Sequence, residues 1–283
     1  MSSNTPQSKA QRREAARAQA LALKKKQEAA DKRSRLITLT ILGVVLAALV
    51  GIVIWLFVRD HQANVANQVE DIPLSEVTNV PATARDDGGI LISQGGVAGG
   101  TENPDVPTVG VYFDYMCPIC GQFEQVNEDA LEGFVADGTA NVVLYPVAIL
   151  DRVSQGTAFS TRAAAAMAWV ADRAPEQALA FHRTMFQNEP TENTAGHTDQ
   201  EIADLATQAG VPDDVAAGIA SGEARTTFGQ WVFSATNAAA GNSALLNSEG
   251  KFGTPTITLD GTRWEGNWPV AGTLDQAVAD ANK

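Results

Sequence analysis

The chain has 283 residues, 20 of them Lys or Arg and 33 Asp or Glu, for a net charge of −13 with 45 % hydrophobic residues. An acidic balance of this kind argues against nucleic acid as a partner, since that role needs a basic face. Only two cysteines and three histidines are present, which excludes a disulfide-stapled scaffold.

The charge is unevenly spread. Ten of the basic residues but only three acids (Glu14, Glu28, Asp31) fall in residues 1–35, a net of +7, so the remainder carries −20. Residues 1–35 read as a basic cytoplasmic tail, disordered in preference to a helix lying on the membrane. Leu36 to Val58 is a 23-residue run without a charge. As a helix it would be roughly 34 Å long, enough to cross a bilayer. Positive charge before it and negative after it orient the tail inward and the large C-terminal part outward. The run is too long for a cleaved signal, and no small-x-small site follows, so a retained single-pass signal anchor held in membrane lipid is expected.

Residues 59–85 are polar with scattered Pro and read as an extracytoplasmic linker. The remainder, 86–283, is expected to form one domain. Ile90-Leu91-Ile92-Ser93 is a strand candidate, followed by a Gly-rich loop from Gln94 to Thr101. Thr108 to Asp114 is a strong β-branched and aromatic strand. After Cys120, apolar residues at Phe123, Val126, Ala130, Leu131, Phe134 and Val135 step by three and four along one helical face. Ala140 to Val147 is the next strand, so the order is strand, Cys-x-x-Cys, helix, strand, with the cysteines at the first strand-to-helix turn.

The pattern from about 156 to 240 is helical throughout. Phe228, Trp231, Val232, Ala235 and Ala239 follow helical steps, and Thr198-x-x-Glu201 makes a capping box. Pro175 and Pro212 suit first-turn positions. Strand character returns at Thr254 to Leu259, with Asp260-Gly261 as a turn and Thr262-Arg263-Trp264 pairing back as a hairpin. The last helix is expected to start at a capping box, Thr273-x-x-Gln276.

Chemistry points to Cys117 and Cys120, the only two thiols, three apart in Tyr115-Met116-Cys117-Pro118-Ile119-Cys120. A lone Cys-x-x-Cys fits a centre that cycles between dithiol and disulfide. A zinc site would need two more ligands, and His61, His182 and His197 are not at ligand spacing, so no metal and no cofactor is expected. If a helix begins near Cys117, its sulfur lies among unpaired N–H groups at the positive end of the dipole, which favours the thiolate. Pro118 fits the first helical position. Cys120, one turn on, can attack and release a mixed disulfide.

The segment Tyr112 to Cys120, with Phe252-Gly253-Thr254-Pro255-Thr256 far downstream, resembles the DsbA-like branch of the thioredoxin superfamily. More narrowly, it is similar to the membrane-anchored thiol–disulfide oxidoreductases of Gram-positive bacteria. The separation of 138 positions between Cys117 and Pro255 suits the helical insertion of that branch. The resemblance implies an α/β thioredoxin-like fold with a helical insertion, here preceded by one transmembrane helix. It implies Cys117 as exposed nucleophile, Cys120 as resolving thiol, and Pro118 with Ile119 as the tuning dipeptide. Thr254-Pro255 would be a cis-proline pair meeting the substrate backbone. The implied activity is oxidation of cysteine pairs in exported proteins, with a membrane redox partner restoring the disulfide; a reductase or isomerase, or a non-catalytic metal chaperone or envelope binding module, are the alternatives. Two departures stand out. Val111 occupies the place, six residues before the nucleophile, where the family often has a buried carboxylate, which turns attention to Asp114. Ile119 stands where the best-known oxidase has His, so a cation is missing and an intermediate potential is expected. Trp264 and Trp268 would line a peptide groove or, as the plainer alternative, pack a strand edge.

Overall fold

A computed structural model describes residues 69–283 and, before them, Leu42 alone. The tail, the apolar run 36–58 and the first part of the linker therefore lie outside the described residues. Among the described residues no helix is long and apolar enough to cross a membrane.

The frame is a six-stranded mixed sheet: β1 (Ile90–Ser93), β2 (Val97–Ala98), β3 (Thr108–Phe113), β4 (Asn141–Pro146), β5 (Thr256–Leu259) and β6 (Thr262–Arg263). Their order in space is β2-β1-β4-β3-β5-β6. Only β3 and β4 run parallel; the other neighbours are antiparallel. A parallel pair needs a crossover, and helix α1 (Pro118–Asp137) supplies it. Alternation along β3 divides the sheet's two faces. Val109, Val111 and Phe113 enter the main core with Ile90, Ile92, Val142 and Leu144. Tyr112 faces the other way and stacks on Tyr145, its register partner, at 4.0 Å between ring centres.

Five helices fill the stretch between β4 and β5: α2 (Phe159–Arg173), α3 (Ala178–Gln187), α4 (Asp199–Gln208), α5 (Asp213–Ala220) and α6 (Glu223–Gly241). Helix α2 carries Ala163–Ala166, Ala168 and Ala171, all buried. Apolar on nearly every side, it belongs inside the insertion rather than on its surface. The Thr198–Glu201 capping box is complete, and Phe228, Trp231, Val232, Ala235 and Ala239 are buried on α6.

The structure corrects several local expectations. The Gly-rich loop contains β2, whose pairing places Ile92 opposite Ala98. Pro212 is the N-cap of α5 rather than a first-turn residue. The last helix, α7 (Thr273–Ala281), is preceded by Gly272 at φ 82° and has no capping box; Gln276 instead donates to Asp280 at 3.1 Å. Residues 70–85 do not stand off as a tether. Glu70 and Ile72 bond to Gln230 and Ser234 of α6, Val77 is buried in the main core, and Ala84 bridges to Ile90. Their polarity reflects an extended segment whose backbone is satisfied by side chains of a helix, which composition does not distinguish from a free linker.

Candidate active site

The turn from β3 into α1 is organised by Asp114. Its backbone carbonyl accepts from Cys117 N at 3.0 Å, and its carboxylate accepts from Met116 N and Leu150 N, both at 2.9 Å. This stops the strand and aims the next residues into a helix, as Asx-type turns do. Asp114 is thus fully buried, not the solvated strand-end acid that its position suggests. Desolvation is the largest influence on it and lifts its pKa to about 7, against the opposing pull of its backbone donors and of Ser160.

Cys117 falls on the N-cap of α1, with Pro118 at N1 and Cys120 inside the first turn. Both sulfurs are free thiols. The Cys117 thiol is drawn down to about 6, most strongly by a hydrogen bond from the Cys120 thiol. Burial opposes this, while Thr254 and the backbone N–H groups of Cys120 and Ile119 reinforce it. At pH 7 that gives about ten thiolates per thiol. Cys120 moves the other way, well above the ordinary value: it is desolvated and sits beside the charge that Cys117 acquires. One sulfur is built to be an anion and its neighbour to keep a proton.

The bend before β5 closes the site. The Thr254–Pro255 peptide bond is cis, and the Cys117 thiol donates to Thr254 O at 3.3 Å. Cys117 is therefore only 5 % exposed, less open than the exposed nucleophile that the resemblance implied, because the Thr254 backbone lies over it. Ile119, in contrast, is 45 % exposed and forms an apolar knob beside the sulfurs. Trp268 packs edge-to-face on Phe123 of α1 at 5.7 Å, and both Trp264 and Trp268 lie against the main core. The packing alternative is the one observed for this pair. Among the described residues no His, Cys, Asp and Glu group is arranged to hold a metal.

Sulfur pair, helix N-terminus and cis-proline thus come together in space from positions 117, 120 and 255. A family model described as DSBA-like thioredoxin domain matches residues 108–278, more than half of the chain. The chain belongs to that family. Of its solved relatives, DsbA from Mycobacterium tuberculosis (reduced) is 28 % identical with a TM-score of 0.52, covering 69 % of this chain and 99 % of the other. Reduced DsbG from the same organism is 29 % identical with a TM-score of 0.51, covering 69 % and 94 %. MdbA, a thiol-disulfide oxidoreductase from Actinomyces oris, is 21 % identical and shares the fold with a TM-score of 0.56, covering 76 % and 94 %. No protein of the curated set matches significantly in sequence.

Sequence reasoning missed several polar groups around this DsbA-like centre. Glu124 and Asn127 lie on the buried face of α1, among the apolar residues of its helical stripe. His182 of α3 is buried among Phe113, Tyr115 and Phe186. Its Nδ1 is 3.1 Å from the Tyr115 hydroxyl, and its Nε2 is 3.2 Å from Glu124 Oε1. Glu124 at four residues from Cys120 was a readable signal, being a carboxylate in the middle of an apolar helical stripe. His182 carried none, because it arrives from the helical insertion.

Proposed function

We propose that the chain is a membrane-anchored, extracytoplasmic disulfide oxidase acting on exported proteins. As a DsbA-like thiol–disulfide oxidoreductase, it would take electrons in two exchanges. A substrate thiolate attacks Cys117 Sγ of the Cys117–Cys120 disulfide, the S–S bond breaks, and Cys120 leaves and is protonated. A second substrate thiolate then attacks the substrate sulfur of the mixed disulfide, and Cys117 leaves as thiolate. The substrate gains a disulfide, and the enzyme holds two electrons until a membrane redox partner removes them. In this reading Pro118 and Ile119 tune the pair, and Thr254-Pro255 receives the extended substrate backbone.

The observation that carries the direction is the place of Cys117 at the N-cap of α1 beside the buried Cys120, which lowers the Cys117 pKa and keeps Cys120 protonated. Relative to the ordinary 9.0, a value near 6 favours the reduced enzyme about tenfold at pH 7. This is about 1.4 kcal/mol, or about 30 mV toward the oxidising side. The margin grows as pH rises toward 9 and is lost as pH falls through 6. The missing cation at Ile119 keeps the expected potential below that of the strongest oxidants. The anchor rests on the charge asymmetry and the apolar run 36–58.

The test is equilibration of the purified protein with glutathione buffers, together with oxidation of a reduced two-cysteine peptide. A potential well above that of cytosolic thioredoxin, with peptide oxidation lost in Cys117→Ser, is expected. A potential near thioredoxin's, about −270 mV, would make the protein a reductase. Salt- and carbonate-resistant membrane association, lost when 36–58 is removed, tests the anchor.

A further inference from the structure

Both sulfurs are used by the cycle above, but a third titratable group beside them is not. Glu189 lies in the turn that ends α3, its N–H donating to Phe186 O at 3.3 Å. Its carboxyl rests against Gly121 of α1, where a Cβ would collide with Glu189 Oε2. Gly121 N in turn donates to Cys117 O at 3.2 Å, so the bare Cα and the reactive sulfur belong to one helical turn. Glycine is a poor helix residue; at 121 it makes the space that the carboxyl fills. Glu189 Oε1 is buried without a hydrogen-bond partner among the described residues, at the wall of a groove of about 590 Å³ shared with Pro118, Gly121, Gln122 and Phe186.

The charged groups facing Glu189 are mostly acidic. Cys117, Asp114 and Glu192 oppose its ionisation, and with desolvation as the largest cause its pKa rises to about 8. Glu124 and Glu128 line the same groove from α1. Arg183 of α3 is engaged by Glu128 and Glu132, and His197 Nε2 bonds the neighbouring Asn188 carbonyl at 2.6 Å. Placed this way, the carboxyl feels the Cys117 thiolate in the reduced enzyme and no such charge in the disulfide form.

We propose that Glu189, seated on Gly121, is a positioning residue for the redox step that takes up a proton when the Cys117–Cys120 disulfide is reduced. The inference rests on the thiol–disulfide cycle proposed above. A substrate dithiol gives up two electrons and two protons as its sulfurs join and the enzyme S–S bond breaks. Cys120 keeps one proton as a thiol, Cys117 remains a thiolate, and the Glu189 carboxylate takes the second proton. Charge is thereby conserved within the site. Without the carboxylate, that second proton passes to solvent, and only one is retained per two electrons.

The test is the reduction potential of the full-length protein in detergent, measured against glutathione buffers of known potential between pH 6.5 and 8. Each proton bound on reduction changes the equilibrium constant tenfold per pH unit, about 30 mV for a two-electron couple. The wild type is expected to change clearly more than tenfold per pH unit, toward a hundredfold where proton uptake is complete, and Glu189→Gln to approach tenfold. Gly121→Ala, which favours the helix but displaces the carboxyl, is expected to match Glu189→Gln. Equal slopes in wild type and Glu189→Gln would overturn the assignment while leaving the disulfide cycle intact. A wild-type protein that never equilibrates with glutathione would overturn the cycle and this proposal together.

Discussion

Replacing Cys120 by alanine removes the donor that contributes most to holding the Cys117 thiolate. That donor is available near pH 7 because Cys120 itself stays protonated. A hydrogen bond to a charged acceptor is worth about 1.5–3 kcal/mol, or about one to two pKa units. Starting from about 6, the Cys117 thiol is expected to titrate at about 7 to 8 in Cys120→Ala. The helix N–H groups and the Thr254 side chain then remain as its supports. Thiolate at pH 7 would fall from about nine-tenths to between about one-half and one-tenth. Cys120→Ser keeps an O–H donor at the same place, and its Cys117 is expected within about half a unit of wild type. Thiolate absorbance of the reduced protein against pH gives the answer, with the pH profile of alkylation as a cross-check. The midpoint of that profile is the quantity to compare, because intrinsic nucleophilicity rises with pKa and masks part of the change at any one pH. A Cys120→Ala protein whose Cys117 still titrates near 6 would refute this reasoning and assign the shift to the helix terminus alone.

Asp114 gives a prediction with a definite sign. Its folded pKa is about 7 against an ordinary 3.8, so the folded state holds a proton that the unfolded chain has released. The contribution of Asp114 to stability is therefore expected to fall as pH rises from 4 to 7 and to level off above 7. Asp114→Asn removes this part of the slope; it also turns an amide N–H₂ toward one of the two backbone donors, costing about 1–3 kcal/mol near pH 4. Melting temperatures across pH 4–8 for both proteins check this, and parallel curves would contradict it. Gly218→Ala tests packing in the insertion. The added methyl falls on the Trp169 ring, which is pinned by its Nε1 bond to Val215 O at 2.9 Å and by Arg173 stacked 3.7 Å from the ring centre. Overpacking of about 1–3 kcal/mol outweighs the gain of up to about 1 kcal/mol in helix propensity. A net loss of about 1–2 kcal/mol in denaturant unfolding is expected, and a stabilised variant would show that the ring can move.

The parts of the site that were legible in the sequence are those made by neighbours in the chain. Strand β3, the cysteine pair and α1 are consecutive, so periodicity and the helix-start chemistry of Pro118 suffice to draw them. The hairpin of β5 and β6 is equally local: Asp260 at φ 50° and Gly261 at φ 77° make the tight turn that their identities suggest. Thr273 misled for a related reason. A capping-box pattern states only what a side chain is able to do, and the left-handed Gly272 took the N-cap instead. The stretch 70–85 misled because its bonds run to α6, about 160 positions away along the chain.

The sequence by itself determined that a dithiol sits at the start of a helix after a buried strand. Local geometry there follows from nearest-neighbour preferences and needs no knowledge of the rest of the chain. Only the tertiary structure decided the ionisation of that dithiol and its surroundings. Thr254 O over Cys117, the burial of Asp114, and Glu189 against Gly121 all come from remote segments, and desolvation and Coulomb energies depend on what lies within a few ångströms rather than on what lies nearby in sequence.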